Sequence, residues 1–170
     1  MLTDGVVRLR RWVPADAEWY ADTVKHDELI QLFTAETSTV SVEDVRMAIA
    51  DLVTGRDDSP GFLIGDASTG DRLGNIALRH ADGIGHVSYW LAAEARGRGA
   101  ATRALRLMSG WAFERLGLGE LRLWTHVDNT ASRDVAERAG YQRDPQHDQP
   151  REIKGTVWQT VAYVLVARSP

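Results

Sequence analysis

The segment Arg96-Gly97-Arg98-Gly99-Ala100-Ala101 decides the fold, because it joins a strand-like run that ends near Ala92 to a long helical stripe of apolar residues. The first N–H groups of a helix lack partners inside the helix and carry about half a positive charge. Small residues let the oxygens of a ligand approach the backbone, and Arg96 and Arg98 add positive charge. We therefore expect an anion site with pyrophosphate as its natural occupant. The same residues also fit a plain strand-to-helix turn with two solvated arginines.

Two nucleotide-binding motifs can be compared with this segment. A P-loop requires Gly-Lys-Ser/Thr, which is absent here. The dinucleotide fingerprint G-x-G-x-x-G/A fails at its last position, since Gly97-x-Gly99 is followed by Thr102. Asp128, after the next strand-like run, could still imitate the acidic residue that binds a ribose. A dinucleotide-binding oxidoreductase domain therefore stays an alternative.

Strand-like and helix-like segments alternate on both sides of this loop. Ser41 and Asp44 have the spacing of a capping box and indicate the start of a helix. Tight connections near Gly70 and Gly83 join three successive strands, which we therefore expect to be antiparallel neighbours. We expect strands at 6–12, 61–66, 72–80, 84–92, 121–127 and 157–166, an extended piece from 141, helices at 14–24, 41–53, 97–116 and 129–140, and loops at 55–60 and 144–155. This order predicts a mixed α/β sheet, of α+β type, in one domain over residues 1–170.

Composition and charge narrow the class of protein. The 170 residues carry a net charge of −4, which argues against a nucleic-acid binder that neutralises many phosphates. The chain has no cysteine, which rules out disulfides and thiolate chemistry, and its five histidines lack metal-ligand spacing, so we expect no metal. The first residues do not resemble a signal peptide, and no apolar stretch reaches the roughly 18 residues of a membrane span. We expect a soluble cytoplasmic protein with no membrane partner.

Together with its flanks, the loop resembles that of the GNAT superfamily of N-acetyltransferases, whose coenzyme loop is Q/R-x-x-G-x-G/A. Arg96-x-x-Gly99-x-Ala101 matches this pattern fully. Further matches to the RimJ/RimL-like branch follow in chain order and extend the resemblance over nearly the whole chain. They are L-G-x-I at 73–76, Y-W-L at 89–91 with Ser88 in place of the usual glycine, A-F-E-x-L-G-L at 112–118, N-x-x-S at 129–132 and E-x-x-G-F/Y at 137–141.

The resemblance implies a fold and a coenzyme site. The fold is a mostly antiparallel central sheet whose fourth and fifth strands splay apart, flanked by helices. Acetyl-CoA is the implied co-substrate, with its pantetheine arm in the gap against the free edge of the strand that carries Tyr89, Trp90 and Leu91. An N–H near Trp90 or Leu91 would face the thioester oxygen. The pyrophosphate would lie on the loop that is formed by Arg96, Gly97, Arg98, Gly99, Ala100, Ala101 and Thr102.

Catalytic residues also follow from the resemblance. Asn129 would hydrogen-bond the pantetheine arm or the start of its helix, and Ser132 would protonate the leaving thiolate; plain helix capping also explains both residues. Tyr141 is the substitute acid, or a core residue. Glu152 would take the proton of the amine, or it is an exposed loop residue and water suffices. No acidic residue follows Gly155 where the branch often has one, which weakens the assignment on the acceptor side.

The implied activity is direct transfer of an acetyl group from acetyl-CoA to a primary amine in a ternary complex. The acceptor would be a protein or peptide N-terminal α-amine, or a small-molecule amine. Trp19 and the segment 29–33 would line its pocket, and His126 would face either the core or the cleft. A homodimer is compatible with this branch. A non-catalytic acetyl-CoA-binding module is the first alternative.

Overall fold

The mixed sheet predicted from the sequence is confirmed in the computed structural model, which describes residues 1–54 and 59–167. Its nine strands lie in the order β1-β2-β3-β4-β5-β6-β9-β7, with β8 paired to β9. All pairs are antiparallel except β5 with β6. The strands are β1 (Leu2–Thr3), β2 (Val7–Arg11), β3 (Gly61–Asp66), β4 (Arg72–Ala81), β5 (Ile84–Leu91), β6 (Glu120–His126), β7 (Gln142–Arg143), β8 (Gln149–Ile153) and β9 (Thr156–Val166). This order excludes the doubly wound parallel sheet of a dinucleotide-binding domain.

Five helices cover the two faces of the sheet unequally. They are α1 (Ala17–His26), α2 (Glu28–Phe33), α3 (Val42–Thr54), α4 (Ala100–Leu116) and α5 (Thr130–Arg138). Helices α4 and α5 pack on one face, called here the α4 face, and bury the main core around Leu105, Met108 and Tyr163. Helices α1 to α3 pack on the opposite face, called the α1 face, over β2 to β5. On the α1 face of β6, alternate residues such as Trp124 stay half-buried, so this part of the sheet is open.

Local signals explain the start of two helices. The Ser41 hydroxyl oxygen accepts a hydrogen bond from the Asp44 N–H at 3.1 Å, as the predicted capping box requires, although its hydroxyl then donates to the Asp44 carboxylate. Helix α4 begins at Ala100 rather than at Gly97, since Gly97 and Gly99 both have left-handed backbone angles that a helix cannot contain. None of the helices within residues 1–54 and 59–167 combines the length and apolar character that crossing a membrane requires.

The prediction of a loop over residues 144–155 is wrong, because the structure places strand β8 at Gln149–Ile153. This strand contains Pro150 and charged residues, so it has no local strand signal. It forms through contacts with β9, where the Thr160 hydroxyl donates to the Gln149 carbonyl at 2.7 Å and the Asp148 carboxylate accepts from the Ala162 N–H at 2.9 Å. Of the other predicted loop, residues 55–58 lie outside the described residues.

The predicted splay of two central strands is present between β5 and β6. These strands are the fourth and fifth of the predicted sheet, because the two-residue β1 shifts the count by one. They pair only where Ile84–His86 meets Glu120–Arg122. Beyond this point β6 stays paired with β9 and β5 stays paired with β4 as far as Leu91. A gap therefore opens between the two strands, and the segment 96–101 follows directly after its β5 edge.

Candidate active site

The β5 edge of the gap presents backbone N–H groups that β4 does not use. The Ala92 N–H donates to the Leu73 carbonyl of the β4 side at 2.9 Å. Since consecutive N–H groups of a strand point to opposite edges, the N–H groups of Tyr89 and Leu91 point into the gap and that of Trp90 points to β4. Of the two candidates for the thioester oxygen, Leu91 therefore has the suitable direction and Trp90 does not.

Gly74 allows β4 to approach β5 closely at this edge. A Cβ atom at Gly74 would lie 2.2 Å from the Trp90 carbonyl oxygen and 3.0 Å from the Leu91 Cα. No side chain fits at these distances, so the glycine of the L-G-x-I motif is required by backbone packing. It determines where the Leu91 N–H lies relative to the gap.

The segment 96–101 has the form of an anion site at the start of α4. Gly97 has a φ of +73° and Gly99 a φ of +77°, and an added Cβ at either glycine would meet nothing within 4 Å. Gly99 is the N-cap residue and has no side chain with which to accept from the first helical N–H groups. Ala100, Ala101 and Thr102 turn their small side chains into the protein. Their N–H groups are the first of α4 and lack intrahelical partners, so they fit the oxygens of a pyrophosphate.

The side chain of Arg96 is used within the protein. Its Nη2 donates to the Asp27 carboxylate at 2.6 Å and to the Leu91 carbonyl at 2.9 Å. The other Asp27 oxygen caps α2 by accepting from the N–H groups of residues 29 and 30. A carboxylate that is only 8% exposed requires such a partner. Arg96 therefore ties the loop to β5 and α2, and the exposed Arg98 is the cation left for an anion at the loop.

Asn129 and Ser132 stand where helix α5 meets the gap. The Asn129 Oδ1 accepts from the Ser132 N–H at 3.1 Å, so the capping role is present. The Ser132 Oγ lies 3.0 Å from the Tyr89 hydroxyl, which also donates to the Ser132 carbonyl at 3.2 Å. Burial raises the pKa of Tyr89 to about 12, so this hydroxyl keeps its proton. The resemblance implied a role only for the backbone of Tyr89, and its hydroxyl is a site group that no local pattern indicates.

Tyr141 is a core residue and does not reach the gap. Its ring is 3% exposed, and its hydroxyl lies 2.9 Å from the Ser109 Oγ of α4. Burial raises its pKa. The role of substitute acid therefore does not apply to Tyr141, since its hydroxyl faces another element.

Glu152 lies on β8, in a strand rather than in a loop. It pairs with Val157 across the hairpin and is exposed on the α4 face, while its neighbour Arg151 pairs with Trp158 on the α1 face. Within the described part of the chain, the Glu152 carboxylate has no hydrogen bond or ion pair. Its surroundings neither bury nor orient it.

Aromatic residues line the α1 face beside the gap. The His126 ring lies between Phe33 and Trp158, with ring centres 5.8 Å and 5.4 Å away, and its side chain is 23% exposed. Of the two predicted directions, core or cleft, His126 therefore faces the cleft, which is the open part of the α1 face beside the gap. Its Nδ1 accepts a hydrogen bond from the Asp128 N–H at 3.1 Å, so the ring proton of neutral His126 lies on Nε2. The Trp19 ring stacks on the Trp90 ring with their centres 6.0 Å apart, so Trp19 packs on the α1 face of β5.

Comparisons with known proteins identify a family and a fold for this chain. Residues 7–142 match the family described as Acetyltransferase (GNAT) domain. The "Putative ribosomal N-acetyltransferase YdaF" of Bacillus subtilis is 28% identical over 168 residues, which cover 95% of this chain and 92% of that protein. In the described residues no three histidine, aspartate or glutamate side chains form a group that could hold a metal ion.

Solved structures show the same fold at low identity. The ribosomal-protein-S5-alanine acetyltransferase of Vibrio fischeri superposes with a TM-score of 0.82 at 17% identity, and 98% of this chain and 96% of that chain are covered. The spermidine N-acetyltransferase of Vibrio cholerae, in complex with CoA and spermine, gives a TM-score of 0.82 at 15% identity, with 96% of each chain covered. The chain therefore belongs to the GNAT family of acetyltransferases, which take their acetyl group from acetyl-CoA.

Proposed function

We propose that the protein transfers the acetyl group of acetyl-CoA directly to a primary amine while both substrates are bound. The observation that carries the proposal is the gap between β5 and β6, with an uncapped helix start at one end and the hydroxyl pair of Tyr89 and Ser132 beside it. A protein that only binds acetyl-CoA would need the loop but would have no use for the hydroxyl pair.

The coenzyme would be held by backbone groups. The N–H groups of the loop, at Gly97, Gly99, Ala100, Ala101 and Thr102, would bind the pyrophosphate, with Arg98 adding charge. The edge of β5 at Tyr89 would pair with a pantetheine amide, the Leu91 N–H would face the thioester, and Asn129 would fix the start of α5. The backbone N–H of Trp90 is directed to β4, so Trp90 would support the coenzyme site only through the packing of its buried ring.

The reaction requires one bond to form and one to break. The amine nitrogen attacks the thioester carbonyl carbon, and the C–S bond then breaks. The Leu91 N–H would stabilise the negative charge on the carbonyl oxygen. Ser132 would give its hydroxyl proton to the departing sulfur and regain one from water, while the Tyr89 hydroxyl, 3.0 Å away, would hold the Ser132 Oγ in position. The ammonium proton would pass to Glu152 or to water.

The acceptor is proposed as a peptide N-terminal α-amine or a small-molecule amine. Support comes from the relatives, of which one is named for ribosomal acetylation and another is bound to spermine. CoA release across a panel of N-terminal peptides, polyamines and amino acids tests the proposal. Stabilisation by acetyl-CoA together with no CoA release on any amine would favour the non-catalytic module instead.

The hydroxyl pair has a matched control in the core. Tyr89→Phe and Tyr141→Phe each remove a buried hydroxyl that bonds a serine, at 3.0 Å and 2.9 Å. Both should lose about 1 kcal/mol of stability. Only Tyr89→Phe and Ser132→Ala should also lower kcat, with little change in acetyl-CoA affinity. An equal fall of kcat in Tyr141→Phe would contradict the assignment.

Glu152 is tested separately because it is exposed. A general base typically contributes about a hundredfold or more, so Glu152→Gln should lower kcat/KM by that factor and leave acetyl-CoA affinity unchanged. An unchanged kcat/KM would assign the proton to water.

A further inference from the structure

The guanidinium of Arg151 lies over the α1 face beside the gap. Its Cζ is 4.6 Å from the centre of the Trp124 ring, which is half-buried beneath it. Trp124 lies two residues beyond Arg122, the last residue of β6 that pairs with β5. Among residues 1–54 and 59–167, α2 reaches this face of β6 at His126, where Phe33 packs, and the partly exposed Arg151 lies beside that contact, where a second substrate can reach it.

Within the residues that the structure describes, Arg151 lacks an anionic partner, as do Arg8, Arg11 and Arg79, whereas four other arginines of the sheet are ion-paired. Arg10 and Arg72 share Asp16, Arg122 pairs with Glu120, and Arg143 pairs with Asp148. Among residues 1–54 and 59–167 no carboxylate pairs with Arg151, and its buried Nε has no hydrogen-bond acceptor. A guanidinium has five N–H donors and favours planar, bidentate acceptors. The Trp124 ring already holds it in one plane.

The charge around Arg151 is positive although the whole chain has a net charge of −4. His86 and Arg122 lie close by. The pKa of His86 is lowered mainly by burial and also by the positive charges of Arg122 and Arg151. Glu120 is the acid of this group, and it is bonded to Arg122. Arg122 and Glu120 offset each other and the lowered pKa favours the neutral form of His86, so the guanidinium of Arg151 itself carries the charge that an anion would compensate.

We propose that Arg151 binds an anionic group of the acceptor, so that the protein selects primary amines that also carry a carboxylate or a phosphate. The acceptor would place its amine at the gap and its anion on the guanidinium above Trp124. This inference rests on the acetyl transfer proposed above and names the class of its acceptor.

Paired acceptors test the proposal and separate the two sources of charge. One pair is the dipeptide Gly-Asp amide against Gly-Asn amide, and the other is phosphoethanolamine against ethanolamine. In the wild type the anionic member of at least one pair should have a kcat/KM about tenfold higher or more, since a hydrogen bond to a charged group contributes that much. The pair that shows the preference identifies carboxylate or phosphate as the source.

Arg143 supplies a matched control, since its guanidinium also lies over an aromatic ring, 5.6 Å from the Tyr163 centre, but is already ion-paired. Arg151→Gln should abolish the preference while the neutral acceptor and the KM for acetyl-CoA stay unchanged, and Arg143→Gln should keep it. A wild type with no preference in either pair, or an Arg151→Gln variant that retains it, overturns the proposal.

A binding measurement separates this inference from the proposed reaction. Calorimetric titration of the anionic acceptors into wild type and Arg151→Gln does not require turnover. Binding that is lost in the variant supports the subsite even if no CoA is released, in which case the proposed reaction fails alone. No binding to the wild type and no kinetic preference would refute the subsite while acetyl transfer could still stand.

Discussion

Replacement of Gly74 by alanine should damage catalysis more than it damages folding. The added Cβ would lie 2.2 Å from the Trp90 carbonyl oxygen, whereas a close carbon–oxygen contact needs about 3.3 Å. The β4 and β5 backbones must therefore part by about 1 Å at this point. The Leu91 Cδ2 at 2.9 Å can rotate away, but the Trp90 carbonyl oxygen and the Leu91 Cα at 3.0 Å are backbone atoms and move only with the strand.

Two effects of this shift have different magnitudes. Overpacking of this kind destabilises a protein by about 1–3 kcal/mol. A 1 Å displacement of a group that stabilises the transition state can lower the rate about a hundredfold. Since the Leu91 N–H is the proposed donor to the thioester oxygen, we expect kcat to fall by about 10- to 100-fold. The loop at 96–101 follows β5, and acetyl-CoA affinity should change less than kcat.

Gly85 provides the control, because it lies on the same strand at the end that pairs with β6. A Cβ there would meet methyl groups of Leu121, Leu78 and Leu118 at 2.6, 2.8 and 2.9 Å. Gly85→Ala should therefore lose similar stability in urea unfolding and keep kcat near the wild-type value. A Gly74→Ala variant with unchanged kcat, or an equal loss of kcat in both variants, would refute the reasoning.

Three further predictions concern stability and binding. Burial alone would raise the pKa of Asp16, but hydrogen bonds from two arginines outweigh burial and lower this pKa to about 2. The ionised Asp16 therefore stabilises the folded protein by about 2 kcal/mol. This stabilisation is complete above pH 4 and is lost as pH falls towards 2. Urea unfolding from pH 7 to pH 2.5 should show a loss of stability that is about 2 kcal/mol larger in the wild type than in Asp16→Asn, because Asp4 and Asp148, whose pKa values are also lowered, titrate in both. Gly99→Val should weaken acetyl-CoA binding in calorimetry through its strained φ of +77° and not through crowding, and Gly99→Asn, which tolerates that angle, should be more stable than Gly99→Val. Asn129→Ala should lose about 0.5–2 kcal/mol of stability with its cap and also lower kcat by displacing Ser132; unchanged kcat would separate the two roles.

The sequence by itself determined most of the helices and strands and the glycine turn that precedes α4, because these depend on contacts between near neighbours in the chain. The spacing of apolar residues predicted α4, and the two glycines predicted the turn that ends with φ angles of +73° and +77°. Asn129 was predicted as a cap, since a cap acts on the residue three positions later. The splay of β5 and β6 came from the resemblance, and no local pattern indicates it.

Only the tertiary structure decided which side chains meet at the gap. The Tyr89 and Ser132 hydroxyls are 43 residues apart in the chain, and Arg96 and Asp27 are 69 apart. Strand β8 forms only through its register with β9, and that register puts Glu152 on one face and Arg151 on the other. A side chain's face and partner follow from pairing between distant segments, and a single sequence carries no local signal for that pairing.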